Sequence, residues 1–174
     1  LDQRREADPD EHGPGHVDQV PPELAPQFGL DRQQPHDRAR EARTVARRLV
    51  DSNLVGHDSH GVLRVAKYLD WVRDGTLKPN TPPQVAFESD TIAIVDGQRG
   101  FGQVTGETAT RMGIAKAKAK GIAMIGLRNC GHLGRLGDWA EMAAEAGQVS
   151  LHFLNTSGAQ RVAPFGGSDR RLST

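Results

Sequence analysis

Apolar positions recur at helical spacing in four stretches of the chain. Ala39, Ala42, Val45, Ala46, Leu49 and Val50 share one face, with Arg and Glu between them, which predicts a helix over 37–54 ended by Gly56. Val62, Val65, Ala66, Leu69 and Val72 form a second stripe that stops near Gly75, with Ser59 as its N-cap. Helical runs are also expected over 108–120, ended by Gly121, and over 139–146, closed by Gly147. Strand patterns lie between them. Residues 91–96 carry β-branched side chains and end in the turn signal Asp96-Gly97. Residues 122–127 are apolar on both faces, the pattern of a buried strand, and 148–154 reads as a further strand. The proline-rich stretch 78–83 reads as a linker. Before residue 36 the periodicity fails. Asp, Glu, Arg and Gln dominate there, and Pro9, Pro14, Pro21, Pro22, Pro26 and Pro35 interrupt any helix. Such a segment buries too little apolar surface to offset its ordering entropy, so weak order is expected, with 24–30 the one candidate docking element.

Charge and cysteine usage narrow the function classes. The 174 residues carry 22 Lys and Arg against 22 Asp and Glu, so no bulk attraction to nucleic acid or anionic membrane is expected. The single cysteine, Cys130, excludes an intrachain disulfide and fits a reducing, cytoplasmic compartment. No apolar run is long enough to cross a bilayer, and residues 1–30 lack the apolar core of a signal peptide. The chain starts at Leu1 and stops at Thr174 in a loop-like context, the expectation for a piece of a longer protein.

Two loops concentrate candidate chemistry. Arg128 through Glu141 joins the predicted strand 122–127 to the helix after it, through three glycines, Gly131, Gly134 and Gly137, and one histidine, His132. A histidine at such a junction suits proton transfer near neutral pH; the plain alternative is a glycine-rich turn with a surface histidine. The second loop, Gly56 to Arg64, holds His57, Asp58, Ser59 and His60. On a helix, His60, Arg64 and Tyr68 fall four apart on one face. A helix start favours anions and arginine grips a carboxylate with two parallel bonds, so Ser59, His60 and Arg64 form a candidate carboxylate cradle. The alternative is a capped surface helix. A zinc site at His57, Asp58 and His60 lacks a second ligand cluster. Gly100, Gly102 and Gly106 follow a strand in the manner of a dinucleotide fingerprint, but the third glycine would be needed at 105, where Thr105 stands, and no acidic residue ends the next strand. A tight turn lining a site is the better reading of these glycines, and the lone Arg128 adds little to a phosphate site. Asn155-Thr156-Ser157-Gly158 ends the predicted strand 148–154, and a right-handed crossover would set it beside the His132 loop. His152 is expected within that strand, on the sheet or in the core. His12, His16 and His36 lack metal-ligand spacing and are expected to be solvated.

Three stretches, taken in order, resemble the malate/L-lactate dehydrogenase family, the group without a standard Rossmann domain that includes ureidoglycolate, sulfolactate and diketogulonate reductases. They are Gly56 to Gly61 with Arg64 and Tyr68, then Asn129 to Glu141 around His132, then Asn155-Thr156 with Ala163 to Gly167 and Arg171 to Thr174. Order and spacing match over roughly 38–174. Family members are longer by about as much again and continue with Asn-Pro where this chain stops. Ser173 stands where many carry Gly, and residues 1–35 do not look like the family's N-terminal helix. The resemblance implies an α/β fold, not a standard Rossmann fold: a weakly ordered segment 1–36, a helical substrate-side subdomain 37–80, and a mixed sheet with helices over 90–174 as a truncated cofactor-binding domain. It implies reversible NAD- or NADP-dependent oxidation of a malate- or lactate-like 2-hydroxy acid, with no metal. His132 would be the proton acceptor, with His60 and Arg64 as catalytic partners; Ser59, His60, Arg64 and Tyr68 would surround the substrate; Thr156, Asn155 and Gly134 would border the cofactor. A homodimer is implied for the full-length protein. The competing expectations are a carboxylate-binding module without catalysis and an inactive truncated piece of such an enzyme.

Overall fold

The computed structural model describes residues 38–155 and 166–169. The expectations for 1–37, Thr156, Ser157, Gly158, 162–165 and 171–174 therefore lie outside the described residues. The element order is α1 (Arg38–Leu54), a 3₁₀ turn (Asp58–His60), α2 (Arg64–Arg73), β1 (Gln84–Glu88), β2 (Ile92–Asp96), α3 (Gly102–Lys120), β3 (Met124–Arg128) and α4 (Gly137–Glu145). The sheet is mixed and small: β1 pairs antiparallel with β2, and β2 pairs parallel with β3. The architecture is α/β, with α3 packed against the sheet and touching α1 and α4. No described helix is long and apolar enough to cross a membrane.

Two apolar clusters hold these elements. Ala93 and Val95 of β2 are fully buried with Ala109 and Met112 of α3, and Val85 and Ile125 pack at the edge. Val45 and Leu49 of α1 meet Tyr68 of α2 and Leu77, with Trp71, Phe101 and Val104 around them. Polar fasteners join elements distant in sequence. Lys116, fully buried, donates to the Ser89 carbonyl at 2.6 Å and lies 2.8 Å from Glu88 Oε1, tying α3 to the end of β1. The Asn80 amide donates to Glu41 Oε1 at 2.7 Å, anchoring the linker to α1.

Several boundaries depart from the sequence pattern. β1 was not expected, because Gln84-Val85-Ala86-Phe87-Glu88 has only a broken alternation; its register shifts between Val85 and Phe87. β3 starts at Met124, and Ile122 and Met124 are 70% and 62% exposed, so the strand is not buried on both faces; α3 packs against it. Residues 148–154 form no strand. Val149, Leu151 and Phe153 are each more than 80% exposed, and His152 is exposed, with Nε2 3.0 Å from Ser150 Oγ. A strand needs a ladder partner, and none is present among the described residues. Most of the predicted stripe on α2 is turned outward: Val62, Val65 and Leu69 are about half exposed, and only Val72 of the stripe joins Tyr68 and Trp71 at the core. Ser59 is not the cap of α2; it sits in the 3₁₀ turn, and Leu63 occupies the cap position without a side-chain bond.

The helix α3 begins at Gly102, six residues before the expected Thr108, so Gly102 and Gly106 lie inside it. Close packing explains them. A Cβ on Gly102 would stand 2.3 Å from the carbonyl oxygens of Gly131 and His132, and one on Gly106 would meet the Trp139 indole at 2.6 Å. These glycines admit the His132 loop and α4 against α3. They do not cradle a phosphate, because the start of α3 is already covered by those two carbonyls. Gly102→Ala is therefore expected to lower stability to urea by about 1–3 kcal/mol, the usual range for forced overpacking. Gly126→Ala, whose Cβ meets Ile94 at 3.7 Å and the Ala93 carbonyl oxygen at 3.9 Å, both ordinary contacts, is expected to leave stability unchanged or raise it by about 0.5 kcal/mol.

Candidate functional site

The loop bearing His132 is fastened at its root to the end of β2. Asp96 Oδ2 accepts from Arg128 Nε at 2.8 Å and from Asn129 Nδ2 at 3.0 Å, and Oδ1 accepts the Gln98 amide at 2.9 Å. The Gln98 amide is the chief reason that the Asp96 carboxyl sits below the usual range. Main-chain bonds continue the seam: Gly97 N–H to Arg128 O at 2.9 Å, Arg99 N–H to Asn129 O at 2.6 Å and Gly131 N–H to Gly100 O at 2.9 Å. Gln98, Arg99 and Asn129 adopt left-handed φ values of 53°, 63° and 50° to make it. Such conformations persist only where the surroundings over-determine them. Cys130 lies in this seam, with its thiol pushed up chiefly by burial.

The other loop is stapled to α1. Asn53 Oδ1 accepts the Val62 amide at 2.9 Å, while Asn53 Nδ2 donates to Asp58 Oδ1. This holds the 3₁₀ turn and presents Ser59 and His60 beside the first turn of α2. Ser59 Oγ lies 2.9 Å from His60 Nδ1, and Arg64 Nε donates to the Ser59 carbonyl at 2.5 Å.

The two loops meet at His132. The His60 and His132 rings stack with centroids 5.0 Å apart and 26° between planes; His57 lies 4.5 Å beyond His60, and Trp71 is 6.5 Å from His132. The Tyr68 hydroxyl is 3.0 Å from His132 Nδ1, and the Gly134 amide donates to the same nitrogen at 3.3 Å. Gln103, fully buried in the first turn of α3, donates from Nε2 to the Tyr68 oxygen at 2.6 Å. His132 Nε2 makes no hydrogen bond to any described residue. Burial, then the charges of Arg64 and His60, push the His132 pKa down to about 4, so the ring is neutral at pH 7. Burial, His57 and Arg64 lower His60 as well. No carboxylate of a described residue pairs with Arg64.

The cluster thus combines a neutral imidazole with one free nitrogen, an uncompensated guanidinium and an exposed serine hydroxyl. Together these can hold the anionic group of a small molecule beside the unbonded ring nitrogen of an imidazole. The structure brings Ser59, His60, Arg64, Tyr68, His132 and Gly134 together. Asn155 is exposed, with no hydrogen bond to the cluster among the described residues, and Thr156 lies outside the described residues. Gln103 and Trp71 were not anticipated. Gln103 stood hidden beside a glycine that reads as a turn; Trp71, one turn after Tyr68, carried the only usable signal. Among the described residues no three His, Cys, Asp or Glu side chains converge as a metal site. A groove of about 460 Å³ lies elsewhere, between α1, α3 and α4, lined by Arg48, Arg111, Arg135 and Asp138 among others. Its arginines are already paired: Arg48 with Glu107 at 3.2 Å, and Arg135 with Asp138 at 2.7 Å.

Comparison with known proteins agrees in family and in extent. The sequence pattern of the malate/L-lactate dehydrogenase family matches residues 36–174. Hydroxycarboxylate dehydrogenase B of Escherichia coli strain K12 is 43% identical over 134 residues, covering 77% of this chain and 37% of that protein. A malate dehydrogenase of Pyrococcus abyssi is 37% identical over 134 residues, with 77% of this chain and 36% of the relative covered. The structure of malate dehydrogenase from Pyrococcus horikoshii OT3 superposes with a TM-score of 0.59 at 39% identity, over 62% of this chain and 31% of that one. The matched part of the chain spans under two fifths of these curated relatives. By the match over residues 36–174 and by these identities, the chain belongs to the malate/L-lactate dehydrogenase family.

Proposed function

We propose that this chain supplies the acid–base and substrate-holding side of an NAD- or NADP-dependent oxidoreductase that interconverts a 2-hydroxy acid and its 2-oxo acid, of the malate or lactate kind. One observation carries the reading: a neutral imidazole with an unbonded nitrogen stands in the field of an arginine that has no carboxylate partner among the described residues. Arg64 holds the substrate carboxylate and Ser59 offers a hydroxyl beside it. His132 takes the hydroxyl proton in oxidation and returns it in reduction. His60, stacked on His132, walls the same space.

Binding itself tunes the base. The charge of Arg64 helps to depress His132, so a carboxylate seated on Arg64 cancels part of that effect and raises the ring toward the pH at which it can exchange a proton. The nicotinamide supplies the hydride acceptor or donor when bound. The residues fit it on the side of His132, where Gly134 leaves bare backbone next to the half-buried imidazole; Gly134, Asn155 and Thr156 would border it, Thr156 lying outside the described residues. The start of α3 does not fit it, since the loop carbonyls fill that position. A homodimer belongs to the same proposal.

Because the chain spans only 37% of a curated relative, a second reading is a carboxylate-binding piece without turnover. Fluorescence titration with NADH and NADPH separates the two: nicotinamide binding supports the oxidoreductase, and carboxylate binding without it supports the module.

In a steady-state assay with 2-oxo acids and NADH or NADPH, His132→Gln is expected to lower kcat by about 10²- to 10⁴-fold, the range for loss of an acid–base group; unchanged turnover removes His132 from the mechanism. Arg64→Ala is expected to raise KM about 30-fold, corresponding to about 2 kcal/mol for a charged hydrogen bond. The pH profile has a definite sign. A base with a pKa of about 4 stays unprotonated as pH falls through 6.5, so kcat/KM for oxidation is retained there and lost only near 4. Arg64→Ala removes one cause of the depression and shifts this acid limb upward.

A further inference from the structure

We propose that Gln103 is a positioning residue whose amide orientation decides which ring nitrogen of His132 carries the proton. The inference rests on the acid–base reading of His132 and concerns a fully buried residue outside the set assigned above to substrate and cofactor.

The bonds on the page fix one arrangement. The Gly134 amide can only donate, so Nδ1 of His132 is an acceptor. Gln103 Nε2 donates to the Tyr68 oxygen at 2.6 Å, which leaves the Tyr68 O–H free to donate to Nδ1 at 3.0 Å. Donors thus run from Gln103 through Tyr68 to His132, and the ring proton resides on Nε2. This is the resting tautomer: its lone pair faces Tyr68 and its Nε2 cannot accept a substrate proton. The oxidation step needs the opposite tautomer, with hydrogen on Nδ1 and a lone pair on Nε2.

The same three side chains can build that state without moving their backbones. Gln103 Oε1 is buried and has no hydrogen-bond partner among the described residues, beside an Nε2 that is bonded. Turning the amide by half a revolution exchanges the two atoms. Oε1 then accepts the Tyr68 O–H, and the Tyr68 oxygen accepts Nδ1–H from His132. Each orientation leaves one amide atom unpaired, and the second also gives up the long 3.3 Å bond from the Gly134 amide to Nδ1, which is why the first is the resting state. Burial keeps water from settling the matter, since Gln103 is fully buried and Tyr68 only 5% exposed. The proton count balances: one proton leaves Nε2 for water, one enters at Nδ1 from water, and nothing is oxidised.

Long-range proton–nitrogen spectra of the histidine rings in the 174-residue chain test this directly. The unaltered chain at pH 7 is expected to show the His132 proton on Nε2. Gln103→Glu installs a group that, once ionised, can only accept. It is expected to move the proton to Nδ1 and to raise the ring pKa by about one unit or more. Gln103→Met is expected to keep it on Nε2, and adding Tyr68→Phe to Gln103→Glu is expected to abolish the switch. A proton that stays on Nε2 in Gln103→Glu, or a switch that survives loss of the Tyr68 hydroxyl, overturns the proposal. If Gln103→Glu does not melt cooperatively, Tyr68→Phe alone decides: with only the 3.3 Å Gly134 bond left, a measurable Nδ1–H fraction is expected, and an unchanged ratio overturns the relay. The spectrum reads the ring whether or not His132 does chemistry. Its failure is thereby separate from a failure of the proposed function, which unchanged turnover of His132→Gln would report.

Discussion

The hydrogen bond between the Tyr68 hydroxyl and His132 Nδ1 joins residues 64 positions apart. Its length of 3.0 Å depends on two packing decisions made far from it. Tyr68 is held because α2 inserts it between Val45 and Leu49 of α1 and Leu77. His132 is held because its loop lies flat on the start of α3, where no residue with a Cβ fits at Gly102. Were either support to slip, the imidazole would lose its partner and the guanidinium of Arg64 would no longer act on it. The site is thus a property of the interface between the helical region and the sheet region, and belongs to neither loop alone.

Electrostatics at this interface favours an anion. His60 and His132 are both lowered, and in each case Arg64 is among the causes. Two neutral rings stacked at 5.0 Å beside one cation avoid the repulsion that protonated rings would create. A protonated His132 is therefore costly in the free protein and cheaper once a carboxylate arrives. The buried ion pairs of the α1–α3–α4 groove follow a different logic. There Arg48 and Arg135 already meet Glu107 and Asp138, so the charge is structural.

The sequence pattern was most legible where one element settles its own form. α1 begins at Arg38 and ends at Leu54, within a residue of the periodicity, because its stripe is continuous and Val45 and Leu49 need only one partner surface. β2 was equally plain. The convergence of Ser59, His60, Arg64 and Tyr68 upon His132 followed from motif order rather than from periodicity. Strands fared worse, since pairing is decided by neighbours: β1 has too little alternation to announce itself, and the apolar run 148–154 has no ladder to join among the described residues. On α2 the apolar stripe pointed the wrong way, because Tyr68 and Trp71 outweigh smaller Val and Leu side chains in area and took the buried face. Gln103 was invisible for a related reason. Its meaning depends on a tyrosine 35 positions earlier, and no local pattern encodes that.

Cys130 stands two residues before His132, where a reactive thiol would expose the loop to oxidation. Its position in the seam argues otherwise. Burial and the nearby Asp96 charge disfavour the thiolate, the form that reacts with oxidants and alkylating agents. A Cβ on Gly97 would lie 2.6 Å from its own Cβ, so the side chain is wedged against the β2 turn. The single cysteine of the sequence thus packs as a small spacer in the seam, partly buried and with its reactive thiolate form disfavoured by the same close fit that aligns the histidine loop.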